Sequence, residues 1–148
     1  TVTYEDLEWI KSQWPGKVVV KGVQNVADAV RLIDGGVDGI VLSNHGGRQL
    51  DGSRTAFDQL AEIVQAVGDR LDVMIDGGVT RGTHVLKALA VGAKAVGLGR
   101  YYLFPLAAAG QPGVERALAQ MKAELLRDMR LMGCDRIDRL RPDMLRRR

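Results

Sequence analysis

Four short apolar runs rich in β-branched residues punctuate the chain: Val18 to Val20, Gly39 to Leu42, Val73 to Ile75, and Ala95 to Leu98. Each has the length of a buried parallel strand. Between them the apolar positions take helical spacing, first Val26, Val30 and Ile33, then Phe57, Leu60, Ile63, Val64 and Val67, then Val85, Leu86 and Leu89. Glycines follow each helical stretch, at Gly35-Gly36, Gly68 and Gly92, where a left-handed C-cap favours them. Strand and helix therefore alternate, and strand starts near positions 18, 39, 72 and 95 suit βαβ units. An internal repeat agrees: Val30 to Leu42 lines up with Leu86 to Leu98 at an offset of 56 residues, helix on helix and strand on strand.

The pattern predicts an α/β fold made of duplicated βα pairs. A (β/α)₈ barrel and an open doubly wound sheet both supply such units. Four strands cannot close a barrel, so the barrel reading requires more chain. A leading helix is predicted over Tyr4 to Gln13, with Thr3 as its N-cap and Asp6 in the first turn. After Gly110 one long helix is predicted from Val114 to about Met132. Leu118, Met121, Leu125, Met129 and Met132 form its apolar face, which packs on the outside of the barrel or on a neighbouring subunit. Residues 1–110 thus carry the barrel units, and residues 111–148 add a helix and a basic tail to the same domain.

Composition changes this picture little. With 46% hydrophobic and 26% charged residues, the chain is of ordinary globular type, and its 18 glycines fall at element ends instead of in a low-complexity tract. Much of the net charge of +3 comes from Arg136, Arg139, Arg141 and Arg146 to Arg148, read as a solvated terminus and not as a nucleic-acid site. The lone Cys134 excludes an intrachain disulfide and is read as a partly buried neutral thiol. No apolar run approaches the roughly 20 residues of a membrane span. A soluble, cytoplasmic protein is expected. The start at Thr1 suggests a piece of something longer.

In parallel α/β folds the reacting groups sit just after the strands. The first run ends in Lys21-Gly22, putting an ammonium on the active face. The second ends in Ser43-Asn44-His45-Gly46-Gly47-Arg48-Gln49-Leu50-Asp51. The imidazole of His45 can take a proton, and Arg48 can clamp a carboxylate through two parallel hydrogen bonds. His84 lies within a helical pattern and is read as structural. The third run ends in Asp76-Gly77-Gly78-Val79-Thr80-Arg81-Gly82 and the fourth in Gly97-Leu98-Gly99-Arg100. Glycines there let backbone N–H groups approach an anion, and consecutive glycine-rich strand ends are the usual phosphate position of a barrel.

With these segments the chain resembles the FMN-dependent 2-hydroxy acid dehydrogenases and oxidases: glycolate oxidase, lactate oxidase, mandelate dehydrogenase and flavocytochrome b2. The matching segments are Val19 to Val23, Ser43 to Asp51, Asp76 to Val79 and Leu98 to Arg100, and the likeness covers nearly all of the chain. It implies strands five to eight of an FMN-binding (β/α)₈ TIM barrel, with its C-terminal helix. By the resemblance, His45 would take a proton from a small L-2-hydroxy acid while Arg48 holds its carboxylate. Lys21 would face the flavin N1/O2 edge, Ser43 would lie near the ring, and Asp76, Gly77, Gly78, Gly99 and Arg100 would receive the ribityl chain and phosphate. No metal is implied, and a homotetramer is.

Two departures stand out. Thr80 occupies a position where the family usually carries arginine, and Arg81 is the residue expected to compensate. Nothing matches the family's first four strands, which would supply substrate-binding tyrosines and the aspartate that orients the base. The N-terminal half is therefore expected as a partner, and the fragment alone is expected to turn over negligibly. A phosphate-binding isomerase or lyase with Lys21 as Schiff base, and an inactive half-barrel scaffold, are the alternatives.

Overall fold

Thr3 opens the first helix through a reciprocal pair of bonds. Its hydroxyl accepts the Asp6 N–H, and the Asp6 carboxylate accepts the Thr3 N–H at 2.7 Å. The computed structural model describes residues 2–146, so Arg147 and Arg148 of the basic tail lie outside the described residues. The first helix, α1 (Tyr4–Gln13), is tied to the next βα unit by Lys11, which donates to the Gly35 carbonyl at 2.6 Å. Arg31 also lies 3.6 Å over the Tyr4 ring.

The strands are β1 (Val19–Val23), β2 (Gly39–Leu42), β3 (Asp72–Ile75) and β4 (Ala95–Val96), joined through helices α2 (Val26–Asp34), α3 (Ala56–Val67) and α4 (Gly82–Val91). They form one sheet in chain order, β1-β2-β3-β4, with every pair parallel. Val19 pairs with Gly39, Gly39 with Asp72, and Met74 with Ala95. Because Ile40, Leu42, Leu60, Ile63 and Val67 are fully buried, β2 and α3 form the centre of the core. At roughly 1.5–3 kcal/mol for each buried side chain, such residues dominate folding.

Two strands differ in extent from the sequence expectation. β1 runs on to Val23 by way of a bulge between Lys21 and Val23. β4 stops at Val96, because the Gly97 N–H makes a last bond to the Ile75 carbonyl at 2.7 Å before the chain leaves the sheet.

The larger correction concerns the C-terminal helix. α5 starts at Arg100 and runs to Leu131, and it is broken at Ala109 and Gly110, where φ/ψ of 60°/−143° at Gly110 is open only to glycine. The two arms fold back on each other. The Tyr101 hydroxyl donates to the Ala117 carbonyl at 3.0 Å, and Gly113 abuts the Pro105 carbonyl. The expected helix from Val114 is the second arm of this hairpin. Met121 and Met129 are buried on it, but Leu118 is exposed.

A second small core of Leu86, Ala90, Met129, Cys134 and Leu140 packs this arm and the tail onto α4. The tail arginines pair locally, Arg136 with Asp138, Arg139 with Asp135 and Arg141 with Asp143. No helix among the described residues is long and apolar enough to cross a membrane.

Candidate active site

The loop from β2 to α3 is shaped by short bonds at its start. Fully buried Ser43 accepts the His45 N–H on its hydroxyl at 3.1 Å, and the Asn44 side-chain oxygen accepts the Gly46 N–H at 3.0 Å. The turn places His45 at φ +55°, the sole non-glycine residue with positive φ among the described residues. That conformation costs an L-residue roughly 1–2 kcal/mol, so it persists only where surrounding bonds impose it. His45 is exposed at the C-terminal ends of the strands, and Arg48 lies one turn further on.

The neighbouring strand end faces this loop. Lys21 donates to the Ser43 hydroxyl at 3.0 Å and pairs with the Asp76 carboxylate at 3.0 Å, so one ammonium joins the ends of β1, β2 and β3. Gly22 is the residue that the β1 bulge accommodates. A Cβ there would stand 3.2 Å from Cε1 of His45, and φ is +97°. A side chain at position 22 would be strained by the positive φ and would press on the imidazole, which would have to give by a few tenths of an ångström. A glycine inside a strand pattern signals a bulge or a close approach, which is how the sequence could have singled Gly22 out.

A cavity of about 630 Å³ opens at this end of the sheet. Of the residues expected in the site, it is lined by Lys21, His45, Arg48, Asp76, Gly77, Gly78, Thr80, Gly99 and Arg100. The apolar part of the wall, Tyr101, Leu103 and Phe104 on the first arm of α5, was not anticipated, because that arm was not expected to be helical. Three cations against the single carboxylate of Asp76 make it a place for an anion. Glycines 78 and 99 leave open space where a Cβ would stand, so their backbone is bare to the cavity.

Two expected residues lie elsewhere. Ser43 sits beneath the wall and acts through Lys21 and the His45 backbone. Arg81 is turned away from the cavity, and its Nε donates to both carboxylate oxygens of Glu124 at 3.0 Å. The physical cause is the contact of α4 with α5: Gly82 lies directly against the Leu125 backbone, and Glu124 also accepts the Gly82 N–H at 2.8 Å, which draws Arg81 to that side. The bond from Arg81, then that from Gly82, holds the Glu124 carboxyl below the usual glutamate range. His84 accepts the Thr80 N–H on Nδ1 at 3.3 Å, a structural role with a polar partner four residues upstream. The cation that reaches across the glycine-rich ends is Arg100, whose Nη2 donates to the Gly46 carbonyl at 3.1 Å.

The family model for FMN-dependent dehydrogenases matches residues 1–147. An L-lactate dehydrogenase of Caulobacter sp. is 46% identical over 140 residues, 95% of this chain and 37% of the relative. A pre-mycofactocin synthase of Mycolicibacterium smegmatis is 48% identical over 134 residues, 90% of this chain and 33% of the relative. Among solved structures, a soluble mutant of the membrane-associated (S)-mandelate dehydrogenase from Pseudomonas putida superposes with a TM-score of 0.94 at 44% identity, covering 99% of this chain and 41% of that one. The chain thus spans about a third of the length of the curated relatives it matches.

Proposed function

We propose, on the premise that the chain belongs to the FMN-dependent dehydrogenase family, that it is the C-terminal half of a flavin barrel that oxidises a small L-2-hydroxy acid to the 2-keto acid. The observation that carries this reading is the convergence of His45, Arg48, Lys21 and the bare glycines on one cavity. The residues fit FMN: Gly78 and Gly99 present open backbone, Arg100 and Thr80 supply donors for a phosphate, and Lys21 offers a cation to the edge of a ring. When bound, FMN supplies the acceptor for two electrons.

The rest is positioning and proton transfer by this chain. Arg48 clamps the substrate carboxylate, which sets the carbinol carbon beside His45. As the hydroxy acid becomes the keto acid, its C–H and O–H bonds break and a C=O bond forms; His45 takes one proton, and the second hydrogen would pass with the electron pair to the acceptor that FMN supplies. Among the described residues, no carboxylate is hydrogen-bonded to the imidazole. By the family resemblance the N-terminal half brings that aspartate, with the tyrosines that meet the substrate.

The Schiff-base alternative gains no support, since Lys21 Nζ is engaged by Asp76 and Ser43. Relatives with different names, an L-lactate dehydrogenase and a pre-mycofactocin synthase, match the same stretch at similar identity, so overall identity over it does not name the substrate. The test is anaerobic mixing of the full-length protein with L-lactate, glycolate and mandelate. Bleaching of the flavin's visible absorbance by at least one of them is expected, and a bound flavin indifferent to all three overturns the reading. The same resemblance extends the proposal to a homotetramer, which light scattering of the full-length protein checks.

A further inference from the structure

We infer that Arg100 bridges the phosphate end of the site and the base loop, and so acts as a positioning residue for His45 through the carbonyl of Gly46. This rests on the function proposed above. The backbone of His45 to Gly47 is held by bonds from Ser43 and Asn44, its own neighbours in sequence. Among the described residues, the one side-chain bond that reaches this backbone from another βα unit comes from Arg100, at 3.1 Å and 54 residues away.

The contact is built for a bare backbone. Gly46 has φ +68°, and a Cβ there would stand 3.0 Å from Nη2 and 3.6 Å from Cζ of Arg100. A side chain at position 46 would be strained by the positive φ and would crowd the guanidinium, which would have to give by a few tenths of an ångström.

A guanidinium has five N–H donors in a planar fork, and the Gly46 carbonyl takes one. The others remain for the cavity that Arg100 lines together with Gly78, Thr80 and Gly99. One side chain therefore serves both the anion site and the turn that forces His45 to positive φ. By reciprocity, an anion that fixes Arg100 must also stiffen the base loop, and loss of Arg100 must uncouple the two.

Amide exchange at residues 45–48 of the full-length protein tests this without reference to turnover, first without cofactor and then with FMN. In the wild type, FMN is expected to slow exchange in the loop. R100Q is expected to speed it about tenfold in the apoprotein, the loss of one charge-assisted bond, and to abolish the slowing by FMN even at saturating concentration. If R100Q weakens FMN binding but leaves exchange at 45–48 unchanged, Arg100 is a phosphate ligand only and the inference fails, while the proposed function stands. If the wild type binds no FMN, the proposed function fails, and the apoprotein comparison still decides whether Arg100 holds the loop. Should R100Q speed exchange throughout the sheet, R100K is read instead: acceleration confined to 45–48 supports the bridge, and an unchanged loop rejects it.

Discussion

His45 and Gly22 form a matched pair at the residue scale, one in a conformation that glycine prefers and the other a glycine that leaves room for the imidazole. Gly22→Ala places a methyl against the ring and forces an L-residue to hold φ +97°. A stability loss of roughly 1–2 kcal/mol by denaturant titration is expected, together with a lower kcat in the full-length protein. His45→Gln removes the proton acceptor but keeps a polar side chain. It should lower kcat about 10²- to 10⁴-fold while FMN stays bound, as read by steady-state kinetics and flavin absorbance; an unchanged kcat would remove His45 from the mechanism. Lys21, His45 and Arg48 were legible because polar residues directly after apolar runs fall on one face of a parallel sheet. Gly22 was legible only as a glycine within a strand pattern, a sign of a bulge or close approach; that the approaching group is a ring 23 positions later is encoded in no local pattern. Arg81, expected from the sequence at the phosphate end, pairs with Glu124 in the structure, a partner that depends on how closely α4 packs on α5.

That packing governs the element scale. Gly82 touches the α5 backbone, and the Glu124 side chain, only 12% exposed, clasps Arg81 and the Gly82 N–H together. A methyl in Gly82→Ala has nowhere to go without separating the helices. It should cost about 1–3 kcal/mol, measured as a lowered denaturation midpoint. Glu124 gives the same contact a pH dependence. Its carboxyl is held below the usual range in the folded protein, so the ionised clasp is fully present above that range and is lost as pH falls through the folded value. Thermal melts should show wild type more stable than Glu124→Gln at neutral pH, with the gap closing in acid; a gap that persists there would assign the stabilisation to packing alone. Helices α1 to α4 were legible in the sequence because each carries its own apolar face, and Thr3 its own cap. The first arm of α5 was not, because Gly97 to Arg100 also reads as a strand end and Pro105 stands inside the arm. The turn at Gly110 was visible as a boundary but not as a reversal, which depends on contacts between the arms.

For the whole molecule, the decisive fact is that four parallel strands end in two open edges, β1 and β4. Val19 on β1 is 45% exposed, and in the segment that precedes β1 Trp9 and Trp14 are 65% and 57% exposed. Strand order and the half-barrel reading were both legible, since the repeat of βα units and the count of four follow from the apolar runs. What lies beside the edges was not, because the apolar runs account for no strand beyond these four. Free edges template pairing with other chains, so the 148-residue chain alone should self-associate, and its flavin should not be reduced by L-lactate, glycolate or mandelate. Under the proposed function, co-expression with an N-terminal half would supply further strands and a carboxylate to orient His45. It should shift the sample, by light scattering, from a broad distribution to a discrete species and restore bleaching by a hydroxy acid. Bleaching by the chain alone would show that His45 needs no orienting partner. A discrete species that still fails to bleach would place a requirement for activity outside the two halves.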